Sequence, residues 1–315
     1  NPKAEEVFRS QVARAKRGGR YFHDVATGGW RGLVFRQTNF PRRWSAVSQL
    51  ELSAADVDAL LQPIFAGLKD KSLAPLKQSP SADVYELTVK LAGRDVPVVV
   101  KVPHRRYVYR HVTELGRGGR AWRAWVKAWH LVARDLPTAW PIAVLERGVP
   151  GYATASLIVC ERVPGPTLWK VDLDALTARG RDMLFHRTGR ILRLLERHGF
   201  SHFDAKASNW IVRPDERLGP GPVLIDVDGI RRRRWPALGV ERLLRSLLDR
   251  RQYGPADSLA LCRGYAPFAR LEQEEPTTDH TEGTEEEEEE DHRRDAEGAE
   301  GQTAKRATNG TNDHE

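Results

Sequence analysis

The chain has 315 residues, two cysteines and a formal net charge of +7. This length suits one bilobal domain or two small ones. Cys160 and Cys262 have no metal-ligand spacing, which argues against a disulfide framework and against a zinc site. No run approaches the ~18 apolar residues of a membrane span. The first residues also lack the apolar segment of a signal peptide, so we expect a cytoplasmic chain.

The net charge combines two opposed parts of the chain. Residues 271–315 hold 17 acidic and 4 basic residues, a net of −13, which leaves residues 1–270 with 26 acidic and 46 basic residues, a net of +20. Nucleotides, phosphorylated sugars, anionic lipid surfaces and nucleic acid are candidate partners of the basic part. The acidic part contains the run TEEEEEED and is too polar to bury a core, so we expect a disordered tail at 272–315.

The first predicted elements lie in a basic and aromatic segment of about 50 residues. GGWRGLVFRQT predicts a short strand after a glycine turn. Ser53 and Asp56 then predict the capping box of a helix. The apolar face of that helix would hold Val57, Leu60, Leu61 and Ile64.

The stretch VYELTVKLAGRDVPVVVKV predicts a β-hairpin, with strands from Val84 to Leu91 and from Val96 to Val102 and a turn at Gly93-Arg94-Asp95. Lys101 ends an apolar run, which is an unfavourable position for an amine unless it meets an anion. The alternative is a lysine that extends its amine to solvent from the strand end. The preceding QSPSADV segment lacks glycine. A phosphate loop there would use backbone N–H groups and the hydroxyls of Ser79 and Ser81.

RAWRAWVKAWHLVARDL predicts a helix that turns Trp122, Trp125, Trp129 and Leu131 toward the core. It has no acidic residue before Asp135, so the helix offers no carboxylate partner to Lys101. Glu114, just upstream, is the nearest candidate partner for that lysine. Two strands follow, and the second ends at Glu161 before a Val-Pro-Gly turn.

The richest stretch is SHFDAKASNWIVRPDERLGPGPVLIDVDG, residues 201–229. A short strand at Ile211 and Val212, turn residues, and a returning strand from Val223 to Ile225 predict a hairpin. This hairpin would hold Asn209 and Asp226 at one end. A helical pattern from Leu173 to His198 leads into the stretch, with Leu184, Ile191, Leu192 and Leu195 on one face and Gly199 ending the helix. Two further amphipathic helices follow it, in VERLLRSLLDRR and ADSLALCRGYAPFARL.

The residue types in this stretch suit phosphoryl transfer. The Asp204 carboxylate can accept or orient a hydroxyl proton, and Asn209 and Asp226 can supply oxygen ligands to Mg²⁺ brought in with a nucleotide. Asp228 competes with Asp226 for the metal, and Lys206 adds a point charge beside the transferring phosphate. The plainer interpretation is a surface loop that uses Asp and Asn as turn formers and caps. The combined HxDxKxxN and IDVDG pattern favours the enzymatic one.

With these segments assembled, the chain resembles the lipopolysaccharide core kinase (Kdo kinase/WaaP) family of the protein-kinase-like fold. The resemblance extends from about Leu76 to Leu271 and is carried by the hairpin, by ERVPGPTL, by HFDAKASNW and by VLIDVDGIRRR. It implies an α+β, bilobal kinase-like fold with a small β-rich N-lobe, a helical C-lobe and the acidic tail. The implied divisions are a basic extension and helix (1–66), the N-lobe (67–162), the C-lobe (163–271) and the tail (272–315).

The resemblance also implies an activity and its residues. Such enzymes transfer the γ-phosphate of ATP to a sugar hydroxyl of the inner core at the cytoplasmic face of the inner membrane. Asp204 would be the catalytic base beside Lys206, and Lys101 would hold the ATP phosphates. A glutamate on the preceding helix would pair with Lys101, and Ala124 occupies its position in this chain. Backbone groups from Glu161 to Val163 would bond the adenine edge. The metal ligands would be Asn209 and Asp226, with Asp228 as competitor.

Three other functions stay open on the sequence alone. An atypical protein Ser/Thr kinase is supported by Lys206 in HxDxKxxN. A nucleotide-binding pseudokinase or scaffold is supported by the absent helix glutamate. Nucleic-acid binding has only the basic charge behind it and is not favoured. A sugar or glycolipid acceptor with ATP and Mg²⁺, and peripheral contact with an anionic membrane, form the leading hypothesis.

Overall fold

A computed structural model describes residues 2–104, 118–149, 152–214, 219–232 and 238–266, all within the unit Asn1–Ala269. Seven of the described strands form one antiparallel sheet: Phe22–Thr27 (β1), Trp30–Phe35 (β2), Pro75–Ser79 (β3), Ala82–Leu91 (β4), Arg94–Pro103 (β5), Pro141–Val149 (β6) and Tyr152–Glu161 (β7). Their order across the sheet is β1-β2-β6-β7-β5-β4-β3. The predicted mixture of sheet and helices is confirmed. The predicted tail lies outside the described residues.

The β4–β5 hairpin follows from the alternation of apolar residues. Val96, Val98 and Val100 recur at every second position, and all three are buried against the core. The turn lies at Ala92-Gly93, where both residues have positive φ, so β5 already begins at Arg94. The hairpin prediction is confirmed, and the turn is shorter than expected because the backbone reverses over two residues.

Helix α2, Ala54–Asp70, begins at the predicted capping box. The Ser53 N–H donates to Asp56 Oδ2 at 2.8 Å, and the Asp56 N–H donates back to Ser53 Oγ at 3.3 Å. Asp56 Oδ1 also accepts the Ala92 N–H at 2.7 Å. One carboxylate therefore caps the helix and attaches its first turn to the β4–β5 turn.

The basic N-terminal segment is more ordered than the sequence indicated. Its helix α1, Pro2–Arg14, and its strand β1 were not predicted. Strand β2 continues the sheet by pairing with β6, for example Leu33 with Val144. Trp125 Nε1 donates to the Ala15 carbonyl at 2.7 Å, and Glu5 bonds the buried Arg134 guanidinium at 2.7 Å. These long-range contacts attach the segment to the rest of the chain.

Helix α3, Arg120–Ala133, packs its tryptophans under the sheet. The rings of Trp125 and Trp129 lie 5.7 and 5.0 Å from Phe22, and Trp129 lies 5.2 Å from Trp140. These aromatic contacts occupy the apolar face of α3. Its polar face is turned toward the second half of the chain, where Lys127 donates to the Asp228 carbonyl.

The remaining described helices follow the sheet in sequence. They are α4 (Ala178–Arg197), α5 (Leu238–Leu247) and α6 (Pro255–Tyr265). Helix α4 begins five residues later than the predicted start because Thr177 Oγ1 caps it by accepting the Gly180 N–H. Gly199 follows its end with φ +78°, as expected for a C′ glycine. Among the described helices, none is long and apolar enough to cross a membrane.

Four short strands connect these helices to the sheet. Trp210–Arg213 (β9) pairs with Gly221–Leu224 (β10), and Ser201–His202 (β8) pairs with Ile230–Arg231 (β11). The Ala139 N–H donates to the Leu224 carbonyl at 3.1 Å, and the Leu224 N–H donates to the Pro137 carbonyl at 3.0 Å. The end of β10 is thereby attached to the segment that enters β6.

Candidate active site

His202 organises the loop between β8 and β9. It is buried, and its Nδ1 accepts the Asp204 N–H at 3.1 Å. The proton therefore resides on Nε2, which donates to the Asp226 carbonyl at 3.1 Å. Burial lowers the pKa of His202 to about 4, although the charge of Asp226 opposes this shift. The imidazole is neutral at physiological pH and joins the Asp204 loop to the segment after β10.

Gly229 lies against the same imidazole. A Cβ at this position would approach His202 Cε1 to 2.9 Å and the Asp204 nitrogen to 3.0 Å. The Phe203 N–H also donates to the Gly229 carbonyl at 2.9 Å. The glycine of IDVDG therefore permits close contact between the two predicted site segments.

The Asp204 carboxylate is held by two side chains of its own loop. Lys206 Nζ lies 3.0 Å from Asp204 Oδ2, and Asn209 Nδ2 donates to Asp204 Oδ2 at 3.0 Å and to its carbonyl at 2.7 Å. Burial raises the pKa of Asp204, but the bonds from Lys206 and Asn209 and the charge of Lys206 outweigh burial, and the pKa is lowered. Asp204 is therefore ionised at neutral pH, as a proton acceptor must be.

A second group of charged side chains, formed by Lys101, Asp226 and Asp228, joins the sheet to the IDVDG segment. Lys101 Nζ, on β5, lies 3.1 Å from Asp226 Oδ1 and 2.9 Å from Asp228 Oδ2. Burial lowers the pKa of Lys101, but the charges of Asp228 and Asp226 outweigh burial and raise it. The apolar run on β5 thus ends in an amine that meets anions, as the sequence indicated, and both carboxylates are within its reach.

The predicted β9–β10 hairpin brings Asn209, from the loop of Asp204, and the segment of Asp226 to the same end of the hairpin. The Ile225 N–H donates to the Asn209 carbonyl at 3.0 Å, so Asp226 follows directly after the residue bonded to Asn209. Burial raises the pKa of Asp226, but the Lys101 charge and the Asp228 N–H outweigh burial and lower it. The described residues contain no cluster of three or more His, Cys, Asp or Glu that could enclose a metal ion. Two carboxylates and one amide oxygen instead suit Mg²⁺ that completes its coordination with phosphate oxygens.

Helix α3 contributes two cations that sequence reasoning missed. Lys127 Nζ donates to the Asp228 carbonyl at 2.8 Å, and Arg120 lies 3.4 Å from Asp228 Oδ2. Burial, with the nearby Arg231 charge, lowers the pKa of Lys127 to about 8. Ala124, where a glutamate was expected, is buried. The proposed partner Glu114 lies outside the described residues. The only sequence signal for these cations was their spacing on the polar face of the helix.

The two serines form the turn between β3 and β4. Ser79 Oγ lies 3.1 Å from Ser81 Oγ and donates to the Ala82 carbonyl at 2.9 Å, so its hydroxyl stabilises the turn. The Ser81 carbonyl accepts from Arg120 at 2.9 Å. Through Arg120, this turn is connected to Asp228.

The predicted linker residues Glu161 and Val163 have partners other than Asp204, Lys101, Asp226 and Asp228. The Glu161 N–H donates to the Trp140 carbonyl at 2.8 Å, so this N–H is already used within the sheet. The Glu161 carboxylate accepts from Ser45 Oγ and from the Ala46 N–H, the latter at 2.8 Å. Val163 is buried in a small cluster with Ala139 and Val223. The Glu161 side chain thus attaches the N-terminal segment to the linker, a role that the sequence did not indicate.

Comparison with known proteins identifies the family. The sequence profile of the lipopolysaccharide kinase (Kdo/WaaP) family matches residues 105–265. This range contains Asp204, Lys206, Asn209, Asp226 and Asp228, whereas Lys101 and the two serines precede it. No curated protein sequence matches the chain significantly.

One solved structure, "WaaP in complex with acyl carrier protein", aligns with a TM-score of 0.46 and 19% identity, over 65% of this chain and 85% of that chain. The family match covers about half of the sequence, and it agrees with the resemblance drawn from the motifs. The chain belongs to the lipopolysaccharide kinase (Kdo/WaaP) family, and it is a kinase of lipopolysaccharide biosynthesis.

Proposed function

We propose that the chain is an ATP- and Mg²⁺-dependent phosphotransferase that transfers the γ-phosphate to a sugar hydroxyl of a glycan resembling the lipopolysaccharide core. One observation carries this proposal. Lys101 of the sheet meets Asp226 and Asp228 at 3.1 and 2.9 Å, and His202 joins that group to the loop of Asp204. These contacts support a site in which the Lys101 amine, the two carboxylates and the Asp204 loop would act together in phosphoryl transfer.

The proposed architecture is bilobal and kinase-like. Residues 67–162 would form the N-lobe and residues 163–271 the C-lobe, with 1–66 as a basic extension and 272–315 as an acidic tail. Support comes from the order of elements, since β3–β7 precede residue 162 and helices α4–α6 follow it. The extension contributes β1 and β2 to the same sheet, so it would belong structurally with the N-lobe.

ATP would lie between the sheet and the Asp204 loop. Lys101 would contact its phosphates, and the turn at Ser79 and Ser81 would cover them. The Ser81 N–H now donates to Ser79 Oγ at 3.3 Å, and it would turn to a phosphate oxygen when ATP binds. The adenine edge would bond backbone groups between Glu161 and Val163. The carbonyl of Glu161 and the backbone of Val163 are the candidates, since the Glu161 N–H is bonded to Trp140.

The donor set fits a magnesium ion. Asn209 uses its Nδ2 to bond Asp204, so its amide oxygen is the atom offered as a ligand. Asp226 would contribute a carboxylate oxygen, and Asp228 is the competing ligand. When bound, Mg²⁺ would neutralise charge on the phosphate oxygens of the nucleotide. Lys101 now neutralises both carboxylates, and on nucleotide binding its amine would turn to the phosphates.

Asp204 would act on the acceptor. Its ionised carboxylate would accept or orient the proton of the attacking hydroxyl, and Lys206, 3.0 Å away, would stand beside the transferring phosphate. Asn209 holds the carboxylate through Nδ2. The loop therefore fixes the base before the acceptor arrives, which limits the reorganisation needed for transfer.

A glycolipid acceptor suits the charge of the chain. Residues 1–270 carry a net charge of +20, which attracts both an anionic core and an anionic membrane surface. We propose that the kinase works in the cytoplasm, with peripheral contact at the inner face of the inner membrane. Nucleic acid is not proposed as a partner, because only the basic charge favours it.

The test is phosphate transfer from radiolabelled ATP with and without a dephosphorylated lipopolysaccharide core. Wild type should label the core only when Mg²⁺ is present. Asp204→Asn should lower the rate by roughly 10²- to 10⁴-fold, the usual effect of losing a general base. Asp249→Asn, at an exposed turn position, is the matched control and should leave the rate unchanged. Label on protein without core would point to the protein kinase, and equal rates in Asp204→Asn would overturn the assigned base.

A further inference from the structure

Helix α3 carries cations where a kinase-like helix would carry a glutamate. Arg120–Ala133 contains no Asp or Glu, and Ala124 is only 5% exposed, so an acid there would be buried. The polar positions of the helix instead recur every three or four residues and hold Arg120, Arg123, Lys127 and His130. The side of α3 that faces the IDVDG segment is therefore basic.

Two of these cations meet the same residue. Lys127 Nζ donates to the Asp228 carbonyl at 2.8 Å, and Arg120 approaches Asp228 Oδ2 to 3.4 Å. Lys101 reaches the same Oδ2 at 2.9 Å from the sheet. Asp228 is thus bonded by cations from both β5 and α3, and it connects the strand lysine to the helix.

Asp226 is held differently. Its Oδ1 accepts from Lys101 at 3.1 Å and from the Asp228 N–H at 3.1 Å, and its carbonyl accepts from His202. None of these contacts comes from α3. These bonds use Oδ1 and the carbonyl, so Oδ2 of Asp226 is the carboxylate oxygen best placed to serve as a ligand.

Arg120 has a second contact that extends the connection. One of its nitrogens, NH1, donates to the Ser81 carbonyl at 2.9 Å while NH2 approaches Asp228. The planar guanidinium can make both contacts at once, which a lysine amine at the same position could not reproduce with the same geometry. The β3–β4 turn, helix α3 and the IDVDG segment are therefore fixed relative to one another by one side chain.

We propose that Arg120 and Lys127 are positioning residues that hold Asp228, so that Asp228 serves as the anchor of helix α3 and Asp226 serves as the metal ligand. In a kinase-like fold the strand lysine would pair with a glutamate of the helix. In this chain Lys101 instead pairs with Asp228, and Asp228 in turn contacts Arg120 of the helix. This assignment rests on the proposed function for its catalytic meaning. The contacts also predict that Arg120 and Asp228 stabilise the fold together, and this prediction does not depend on the proposed function.

The first experiment needs no catalysis. Arg120→Gln, Asp228→Asn and the double variant are unfolded in urea, and the coupling between the two changes is measured. Arg120→Gln should destabilise the Asp228→Asn protein less than it destabilises wild type. Arg242→Gln, an exposed arginine on α5, is the control and should show no coupling with Asp228→Asn. Additive changes in the free energy of unfolding for Arg120→Gln and Asp228→Asn would contradict the role of Asp228 as the anchor of α3.

The second experiment separates the two aspartates. Binding of ADP is titrated with and without Mg²⁺ by calorimetry. Asp228→Asn should retain a Mg²⁺-dependent gain in affinity, and Asp226→Asn should lose it. The reverse pattern would overturn the assignment. If wild type binds Mg²⁺-ADP but phosphorylates no acceptor, the proposed function fails while this assignment stands or falls on its own result.

The third experiment measures the positioning role. Arg120→Gln and Lys127→Met should each lower kcat roughly 10- to 100-fold, as removal of supporting contacts around metal ligands commonly does. The KM for ATP should change less than kcat. Arg120→Lys should restore only part of the rate, because it keeps the charge and loses one of the two contacts. An unchanged kcat in Arg120→Gln would contradict the role.

Discussion

Gly229→Ala tests whether the two segments of the site depend on their close contact. The added methyl group would lie 2.9 Å from His202 Cε1 and 3.0 Å from both His202 Nδ1 and the Asp204 nitrogen. Neither neighbour is the free end of a flexible chain. The His202 ring is buried and bonded at both nitrogens, and the Asp204 nitrogen is backbone.

The magnitude follows from these distances. Carbon atoms prefer separations of about 3.5–4.0 Å, so the segments must separate by roughly half an ångström to one ångström. Overpacking of this kind costs about 1–3 kcal/mol in the free energy of unfolding. For a protein of this size that corresponds to a fall in Tm of roughly 2–12 °C. A misplacement near 1 Å can also cost about 10²-fold in rate.

The assay combines thermal unfolding with phosphate transfer. Gly221→Ala is the matched control, because its nearest neighbour to a new Cβ is the Arg213 carbonyl at 4.0 Å. Gly229→Ala should lower both Tm and kcat, and Gly221→Ala should change neither appreciably. A Gly229→Ala protein with the stability and rate of wild type would show that the two segments do not need this contact.

Three further predictions concern the charged groups and the linker. Lys101→Met leaves Asp226 and Asp228 without their shared cation, and it should lower the free energy of unfolding by about 1–2 kcal/mol, between the values for exposed and buried pairs. A stability equal to wild type in urea would contradict the pairing. The pKa of Asp226 is lowered from its ordinary 3.8, so its ionised form adds stability above that pH, and this contribution is lost as the pH falls through the lowered value. Asp226→Asn should therefore flatten the dependence of stability on pH below about pH 4, and an unchanged slope would refute the shift. Ser45→Ala removes a donor to Glu161 and should cost about 1 kcal/mol and raise the KM for ATP more than it changes kcat. An unchanged KM for ATP would show that the contact between Ser45 and Glu161 does not affect nucleotide binding.

Local signals predicted the elements that carry the site. The capping box of Ser53 and Asp56 and the β4–β5 hairpin are confirmed because each is decided by residues close in sequence. The β9–β10 hairpin is confirmed for the same reason, and it brings Asn209 next to Ile225. Motif spacing assigned Asp204, Lys206 and Asn209 to one loop, but it did not predict the contacts of Asp204 with Lys206 and Asn209, since spacing gives residue types and no distances.

Other features depend on contacts between distant segments. Helix α1 was missed because it is held by partners elsewhere in the chain, such as the Arg134 guanidinium that bonds Glu5. Strand β1 pairs locally with β2 through a turn at Gly28-Gly29, but it was missed because Phe22 is its only buried residue and its sequence shows no apolar alternation. The bond of Glu161 to Ser45 joins residues 116 positions apart. Lys127 and Arg120 reach Asp228 across more than 100 positions. Periodicity identified the apolar face of α3, but it contained no information about what the opposite, polar face meets.

The most direct test of the account is mass spectrometry of the core oligosaccharide after incubation with Mg²⁺-ATP and the enzyme. Wild type should add one phosphate to a sugar of the core, and Asp204→Asn should leave the core unmodified at the same enzyme concentration. An unmodified core with wild type, or the same product with Asp204→Asn, would contradict the claim that Asp204, Lys101 and the IDVDG segment form the active site of a sugar kinase.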